Sequence, residues 1–328
     1  MSAGEPSAVP DRAGLRKRAG ALRGTSWGLF RDPWRGTPSF AGPEQAAAAA
    51  RLVETGEALG LDYPIDAFVP GMSRTRRPVE HTIYGNHAAH RDDLLDSFYL
   101  QASTQVDGLR HRRADDVGFY AGVADERVVT GTPDIGVQVW ADDPIVTRGV
   151  LVDLAGHRER RGAPIDHANG EALPLSDVLA AVDDQGVALR QGDVVMLHTG
   201  WSEWFLGLTD ERKLQQQASG RASGLTQAED VVDWAWDNRL ALLAADNFAV
   251  ECLPVHPASP FVGSAPSDRG MMHQEFLAKL GLPLGELWRL GPLARRLRSR
   301  GRWEMMVIIK PLNVVGAAGS PANATAVL

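Results

Sequence analysis

One cysteine, Cys252, stands in 328 residues. That scarcity excludes an internal disulfide and any metal centre built on clustered thiolates. Its neighbours, "VECLP", mark it as a buried structural thiol. Lysine is nearly as rare: Lys17, Lys213, Lys279 and Lys310 are the only ones among 34 basic residues. With abundant alanine and glycine, the arginine bias points to a GC-rich genome rather than to a function. No apolar run approaches the ~20 residues needed to cross a bilayer. The first 25 residues lack the apolar core of a secretory signal, so no membrane partner and a cytoplasmic location are expected. Excess positive charge is missing too. A net charge of −7 argues against a nucleic-acid partner. There are no repeats and no low-complexity linker, and 44% apolar with 23% charged residues is a globular composition.

What is present alternates between helical and extended patterns. Residues 1–25, rich in Ala, Gly, Arg and Pro, read as a flexible N-terminal arm, and residues 26–328 as one domain. "GPEQAAAAARLVETGEALG" predicts a helix opened by Pro43 and stopped by Gly60, followed by a strand in "LDYPIDAF". Residues 70–92 predict a long loop, and "LLDSFYLQASTQVD" a strand. "RGVLVDLAG", "GDVVMLHTGW", "LALLAAD" and "RWEMMVIIKP" are short apolar runs of buried-strand type. "LSDVLAAVDDQG" (with Ser176 as cap), "TQAEDVVDWAWDNRL", "MMHQEFLAKLG" and "LGPLARRLRS" predict helices. The chain ends in a Gly-rich loop and a short strand. This order predicts a single α/β domain with a mixed sheet.

The stretch "LQASTQVDGLRH" concentrates chemistry. In an extended strand, residues 103, 105 and 107 share one face and 102, 104 and 106 the other. A turn at Gly108 would bring His111 back toward Asp107 as an acid/base pair. A turn-capping Asp beside a surface His is the bland alternative on spacing alone. His198, Thr199, Asp246, Asn247 and Glu251 stand at strand ends, where α/β sites are commonly built, although each also suits a core or turn role. His81, His87 and His90 follow no strong metal-ligand spacing. "GAAGSPANA" lacks the strand-to-helix context of a phosphate loop.

With those residues in view, the chain resembles the cyclase family of metal-dependent hydrolases, the group of bacterial kynurenine formamidase and isatin hydrolase. The family motif, His-x-Gly-Thr-His-x-Asp-x-x-x-His, aligns with "QASTQVDGLRH". "SWGLF", "GVLVDLA", "AADNFAVECLP" and "PLNVVGAAGSPANATAVL" also follow the family order, over roughly residues 26–328. The resemblance implies a swivelling β/β/α domain with a mixed central sheet and flanking helices. It places the motif histidines on Gln101 and Gln105, the metal-bridging aspartate on Asp107 and the acid/base histidine on His111. The later metal-binding His and Glu fall on His273 and Glu286. It also brings the aromatic Trp27, Phe30, Trp34, Tyr120, Trp201 and Trp204 near the site. Of these, Trp27, Tyr120 and Trp201, together with Asn247, are candidate binders of a small flat substrate.

Two imidazoles have become amides, and an amide oxygen is a hard, weak ligand. The favoured expectation is a metal-free site in which Gln101, Gln105 and Thr104 donate to an oxyanion while Asp107 and His111 move protons. The alternative is one divalent cation on Asp107, His273, Glu286, Gln101 and Gln105, with Mn, Mg or Ca preferred to Zn. Either way the expected protein is an enzyme of small carbonyl metabolites (amide, lactone, enol or cyclic), acting as hydrolase or cyclase/lyase. Secondary metabolism or aromatic degradation is its expected setting. A silent small-molecule-binding protein that kept the fold is the rival reading. A homo-oligomer, a dimer, is expected from the family, with the N-terminal arm suited to exchange between subunits.

Overall fold

The computed structural model describes residues 9–261 and 270–328. Its strands are β1 (Ala58–Gly60), β2 (Glu80–His87), β3 (His90–Asp96), β4 (Gln105–Asp107), β5 (Ile145–Asp153), β6 (Ala172–Leu173), β7 (Val194–His198), β8 (Gly224–Leu225), β9 (Leu242–Ala245), β10 (Leu284–Glu286), β11 (Glu304–Ile309), β12 (Gly319–Ser320) and β13 (Ala324–Val327). Among the described residues, nine of them form one mixed sheet in the order β1-β13-β11-β5-β7-β9-β10-β4-β12. The centre, β5-β7-β9-β10, is parallel, and both flanks are antiparallel. Of the central strands, β5, β7 and β9 are apolar runs predicted from sequence, whereas β10 was not predicted. They are buried on both faces because helices cover the sheet, among them Leu175–Asp184, Glu229–Asp237 and Gly291–Arg300.

The sheet is curled, and the chain itself shows why. β12 lies at one edge and β13 next to the other, yet only residues 321–323 join them. Four residue steps reach at most about 14 Å, so the two edges must approach one another. Contacts across the gap agree with this. Leu61 N–H donates to the Ala324 carbonyl at 2.9 Å, and Tyr63 N–H donates to Thr104 Oγ1 at 2.9 Å. The curl carries β4 inward, where Gln105, Val106 and Asp107 are all buried.

Several expectations are corrected. The helix from Pro43 ends at Ala50, not Gly60. The C-terminus captures the following segment: Thr55 and Gly56 N–H both donate to the Leu328 carbonyl, and residues 58–60 become β1 against β13. "LDYPIDAF" forms no strand. Ser176 is not a cap, since Pro174 precedes that helix without a side-chain bond. Residues 80–96, read partly as loop, form the hairpin β2-β3, in which every strand residue is exposed. Residues 9–25, read as part of a mobile arm, pack on the body. Leu15 is buried, Arg12 pairs with Glu275 at 2.7 Å and Arg16 with Asp233 at 2.6 Å. Residues 1–8 of that arm lie outside the described residues. No helix among the described residues is long and apolar enough to cross a membrane.

Candidate active site

The site forms where β4 lies between β10 and β12. Gln105 sits directly opposite Glu286, and Asp107 is opposite both Leu284 and Gly319. Opposed residues share a face, as do residues two apart on one strand, so Gln105, Asp107 and Glu286 converge. Gly319 is required there. A Cβ at that position would stand 2.7 Å from Gln101 Cδ, whose side chain crosses over the strand. At Gly108 the chain turns, with His111 N–H donating to its carbonyl at 2.9 Å, and His111 returns over Asp107. Arg110 fixes that turn through bonds to the carbonyls of Asp134, Gly316 and Arg127.

His273 enters from the other side, just before the turn of π-helix Gln274–Leu280. Glu251 holds it twice, accepting from its backbone N–H at 2.9 Å and its Nδ1 at 2.6 Å. Glu251 follows Ala249 and Val250, two non-glycine residues with φ of 80° and 58°. A left-handed backbone in such residues costs about 1–3 kcal/mol each, and here it aims a buried carboxylate. The other ring nitrogen, Nε2, faces Glu286 Oε1 at 3.2 Å and Asp107 Oδ2 at 4.0 Å.

Asp107 and His111 do not touch directly; Nε2 and Oδ1 are 4.0 Å apart. Gln101 lies between them, its amide nitrogen donating to Asp107 Oδ1 and to His111 Nδ1, the latter at 2.8 Å. An amide nitrogen has two protons and no free acceptor pair. His111 Nδ1 must therefore accept, and the neutral ring carries its proton on Nε2. The expected carboxylate–imidazole pair is thus an amide-relayed one.

Three acidic groups and one deeply buried imidazole set the electrostatics. Burial pushes Asp107 up, and the charge of Glu286 adds to this against the pull of His111 and His273. Burial alone would depress His273, but bonds to Glu251 and Glu286 lift it to about 10. Burial acts upward on Glu286 too, and its bond to His273 outweighs that, leaving it below the ordinary range. Asp107, Glu251 and Glu286 thus surround the single imidazole of His273, so acidic groups outnumber it three to one.

The donor set fits a divalent cation. One ligand atom from each of Asp107, His273 and Glu286 lies within 4.8 Å of the others. Asp107 Oδ2 and Gln105 Oε1 are buried acceptors with no donor. Glu251 on His273 Nδ1 is the carboxylate–histidine arrangement that orients a metal-binding ring. Gln101 does not join this set, because its amide nitrogen is what it turns toward Asp107.

The oxyanion expectation meets a physical obstacle. Both protons of Gln101 Nε2 are committed, and Gln105 Nε2 donates to Glu286 at 2.8 Å. The Thr104 hydroxyl donates to the Leu287 carbonyl at 2.6 Å and accepts from Tyr63, so it ties β4 to its neighbours. Trp27 is bonded to the Ala278 carbonyl, and Tyr120 lies 3.3 Å from Ser26 Oγ with burial raising its phenol to about 12. The Asn247 amide nitrogen donates to the carbonyls of Ser223 and Val250, and its Oδ1 is a buried acceptor with no donor.

A cavity of about 660 Å³ opens onto Gln101. Trp201 lines it, as expected, and so do Phe68, Phe248 and Leu287. The wall contributed by residues 68–79, including Arg76, was not foreseen. Its only sequence signal is "RTRRP", three arginines in one short loop. Cys252 is buried, burial raising its thiol to about 11, as a structural cysteine should be.

The fold has known counterparts. A crystal structure described as a novel cyclase superposes with a TM-score of 0.80 at 29% identity, covering 93% of this chain and 99% of that one. Isatin hydrolase A from Labrenzia aggregata, bound to benzyl benzoate, gives 0.56 at 13% identity, covering 86% and 96%. An isatin hydrolase bound to the product analogue thioisatinate gives 0.52 at 12%, covering 88% and 99%. Among curated proteins, none matches the chain. Residues 61–252, which carry β4, the Gln101–His111 motif and Glu251, match the family model Cyclase, described as "Putative cyclase". By that match, over more than half its length, and by the shared fold, the chain belongs to the Cyclase family.

Proposed function

We propose that this protein is an enzyme that moves a proton at a small carbonyl compound, an amide, lactone, enol or cyclic substrate, as a hydrolase or a cyclase/lyase. Membership of the Cyclase family and the likeness in fold to isatin hydrolases point to a hydrolase- or cyclase-like enzyme. The observation that carries the finer reading is the relay His111–Gln101–Asp107, whose middle member, Gln101, lines the cavity. His111 is the partly exposed member, with its Nε2–H free to hydrogen-bond to an oxyanion or leaving-group oxygen. Asp107, fully buried and raised, is a better base than an ordinary carboxylate, and Gln101 holds the two groups in register.

The open acceptors Asp107 Oδ2 and Gln105 Oε1 favour the cation-bearing version over the metal-free one. Asp107, His273 and Glu286, with Gln105, would hold the ion, an oxygen-rich set suited to Mn or Mg. Such an ion supplies Lewis-acid polarisation of a carbonyl. His111 serves either version, whereas Asp107 would be the base without an ion and a ligand with one. The test is turnover of a panel of aryl amides, lactones and cyclic imides, with and without Mn, by wild type, His111→Ala and Asp107→Asn. Loss in both variants is expected; unchanged turnover in both would overturn the assignment.

The protein acts as a homodimer in this reading, but through the hairpin rather than an N-terminal exchange. A lone two-stranded hairpin is marginal in water, and β2-β3 exposes Ile83, Tyr84, Leu94 and Leu95. Light scattering should give twice the mass of the chain, and Ile83→Asp with Leu95→Asp should return it to monomer mass.

A further inference from the structure

The cavity beside Gln101 has two unlike walls. One is apolar: Phe68, Trp201, Phe248 and Leu287 line it, with Phe205 stacked behind Trp201 at 4.8 Å and 12°. The other carries Arg74, Arg76 and Arg77. Among the described residues these three form no ion pair. Arg76 donates to the Gln101 carbonyl and Arg74 to the Ala218 carbonyl at 3.2 Å, both neutral acceptors. The lining holds one carboxylate, Asp210, which lies 3.7 Å from Lys213. Three arginines against one acid make a positive mouth on a protein of net charge −7. Arg12, Arg16, Arg148 and Arg158, by contrast, each meet a carboxylate.

Unspent guanidinium beside an apolar wall is the complement of a flat molecule with an anionic end. Resting on the reading of this cavity as the substrate cavity, we propose that its ligand is an apolar, ring-bearing carboxylate. The Arg76 guanidinium takes the carboxylate, and the ring lies against Phe248 and Phe68, with the fully buried Trp201 packed behind them. Arg76 is bonded to the backbone of the residue whose side chain spans Asp107 and His111, so an anion held there is anchored one residue from the relay. Arg74 and Arg77, more exposed, draw the anion in rather than seat it.

The experiment compares 2-naphthoate with 2-naphthamide, equal in shape and different in charge, by titration calorimetry. The proteins are wild type, Arg76→Gln, Arg77→Gln and His111→Ala. The carboxylate should bind about tenfold or more tighter than the amide. Arg76→Gln should erase that preference, Arg77→Gln should weaken it slightly, and raised salt should weaken the carboxylate alone. His111→Ala should bind as wild type does, since binding is read without turnover. A carboxylate preference in wild type and His111→Ala together with absent catalysis would sink the proposed reaction and leave this inference standing. Equal binding of the two probes, or no binding of either, would overturn the inference and leave the reaction untouched. The wild-type salt response decides the matter if Arg76→Gln does not fold.

Discussion

Among the described residues, two buried clusters of imidazole and carboxylate are finished differently. One is Asp153, His198 and Asp246, at the C-terminal ends of β5, β7 and β9. The other is Asp107, His273 and Glu286, on β4, β10 and the turn before the π-helix. In the first, every carboxylate oxygen is served. Asp153 takes His198 Nδ1 at 2.9 Å, Arg298 at 2.6 Å and the Gly156 N–H, while Asp246 takes the N–H and hydroxyl of Thr199 and the Gly200 N–H. Burial tends to raise Asp153, but the bonds from His198 and Arg298 outweigh it and hold its carboxyl at about 2. Burial would lower His198, and Asp153 and Asp246 lift it instead. In the second cluster, Asp107 Oδ2 and Gln105 Oε1 have no donor. The first cluster leaves a ring nitrogen, His198 Nε2, without a hydrogen-bond partner, whereas the second leaves acceptors open, the kind of group a cation or a proton would fill.

The sharpest way to break this contrast is to delete one imidazole from each side. His111→Ala should lower turnover about 10²–10⁴-fold with little change in melting temperature. His198→Ala should lower stability by about 3–5 kcal/mol, read from the urea midpoint, because it leaves a buried carboxylate uncompensated. Swapped outcomes would reverse the two roles. Acid separates the clusters next. The folded pKa of Asp153, about 2, lies below its unfolded value of 3.8, so its contribution of about 2 kcal/mol is full above pH 4 and is lost as pH falls through 2. Thermal melts of Asp153→Asn should be flatter than wild type across that window. The smallest effect concerns the open acceptors. Asp107→Asn should leave stability within about 1 kcal/mol of wild type, and should abolish any rise in melting temperature on adding Mn. A Mn-induced shift that survives in Asp107→Asn would place the ion elsewhere.

How much of this the sequence disclosed follows from what each part depends on. β5, β7 and β9 were legible because burial on both faces writes a continuous apolar run, and β11, buried on alternate residues, because its sequence is apolar throughout after Glu304. The hairpin β2-β3 was not, because solvent on both faces leaves no alternation to read. The helix from Pro43 was read too long because the C-terminal Leu328, over 270 residues away, takes the N–H groups of residues 55 and 56. At the site, spacing and resemblance together assembled Gln101, Gln105, Asp107, His111, His273 and Glu286. They did not show that Gln101 stands between Asp107 and His111, since that follows from how the side chain crosses above Gly319. Phe68, Phe248 and Arg76 stayed unseen because a loop's fold over a cavity leaves no period in the sequence.

Residues 61–79 form no strand or helix, and those from 68 onward wall the cavity before running straight into the exposed hairpin. The acid–base groups, by contrast, are fixed by paired strands and buried turns. This separates two kinds of heritable change. Substitutions on β4 or β10 must satisfy the ladder and the core at once, whereas a loop of this kind tolerates replacement without repacking either. Ligand preference can therefore drift while the reacting groups stay in place, and a library confined to residues 68–79 is the natural place to redirect the protein.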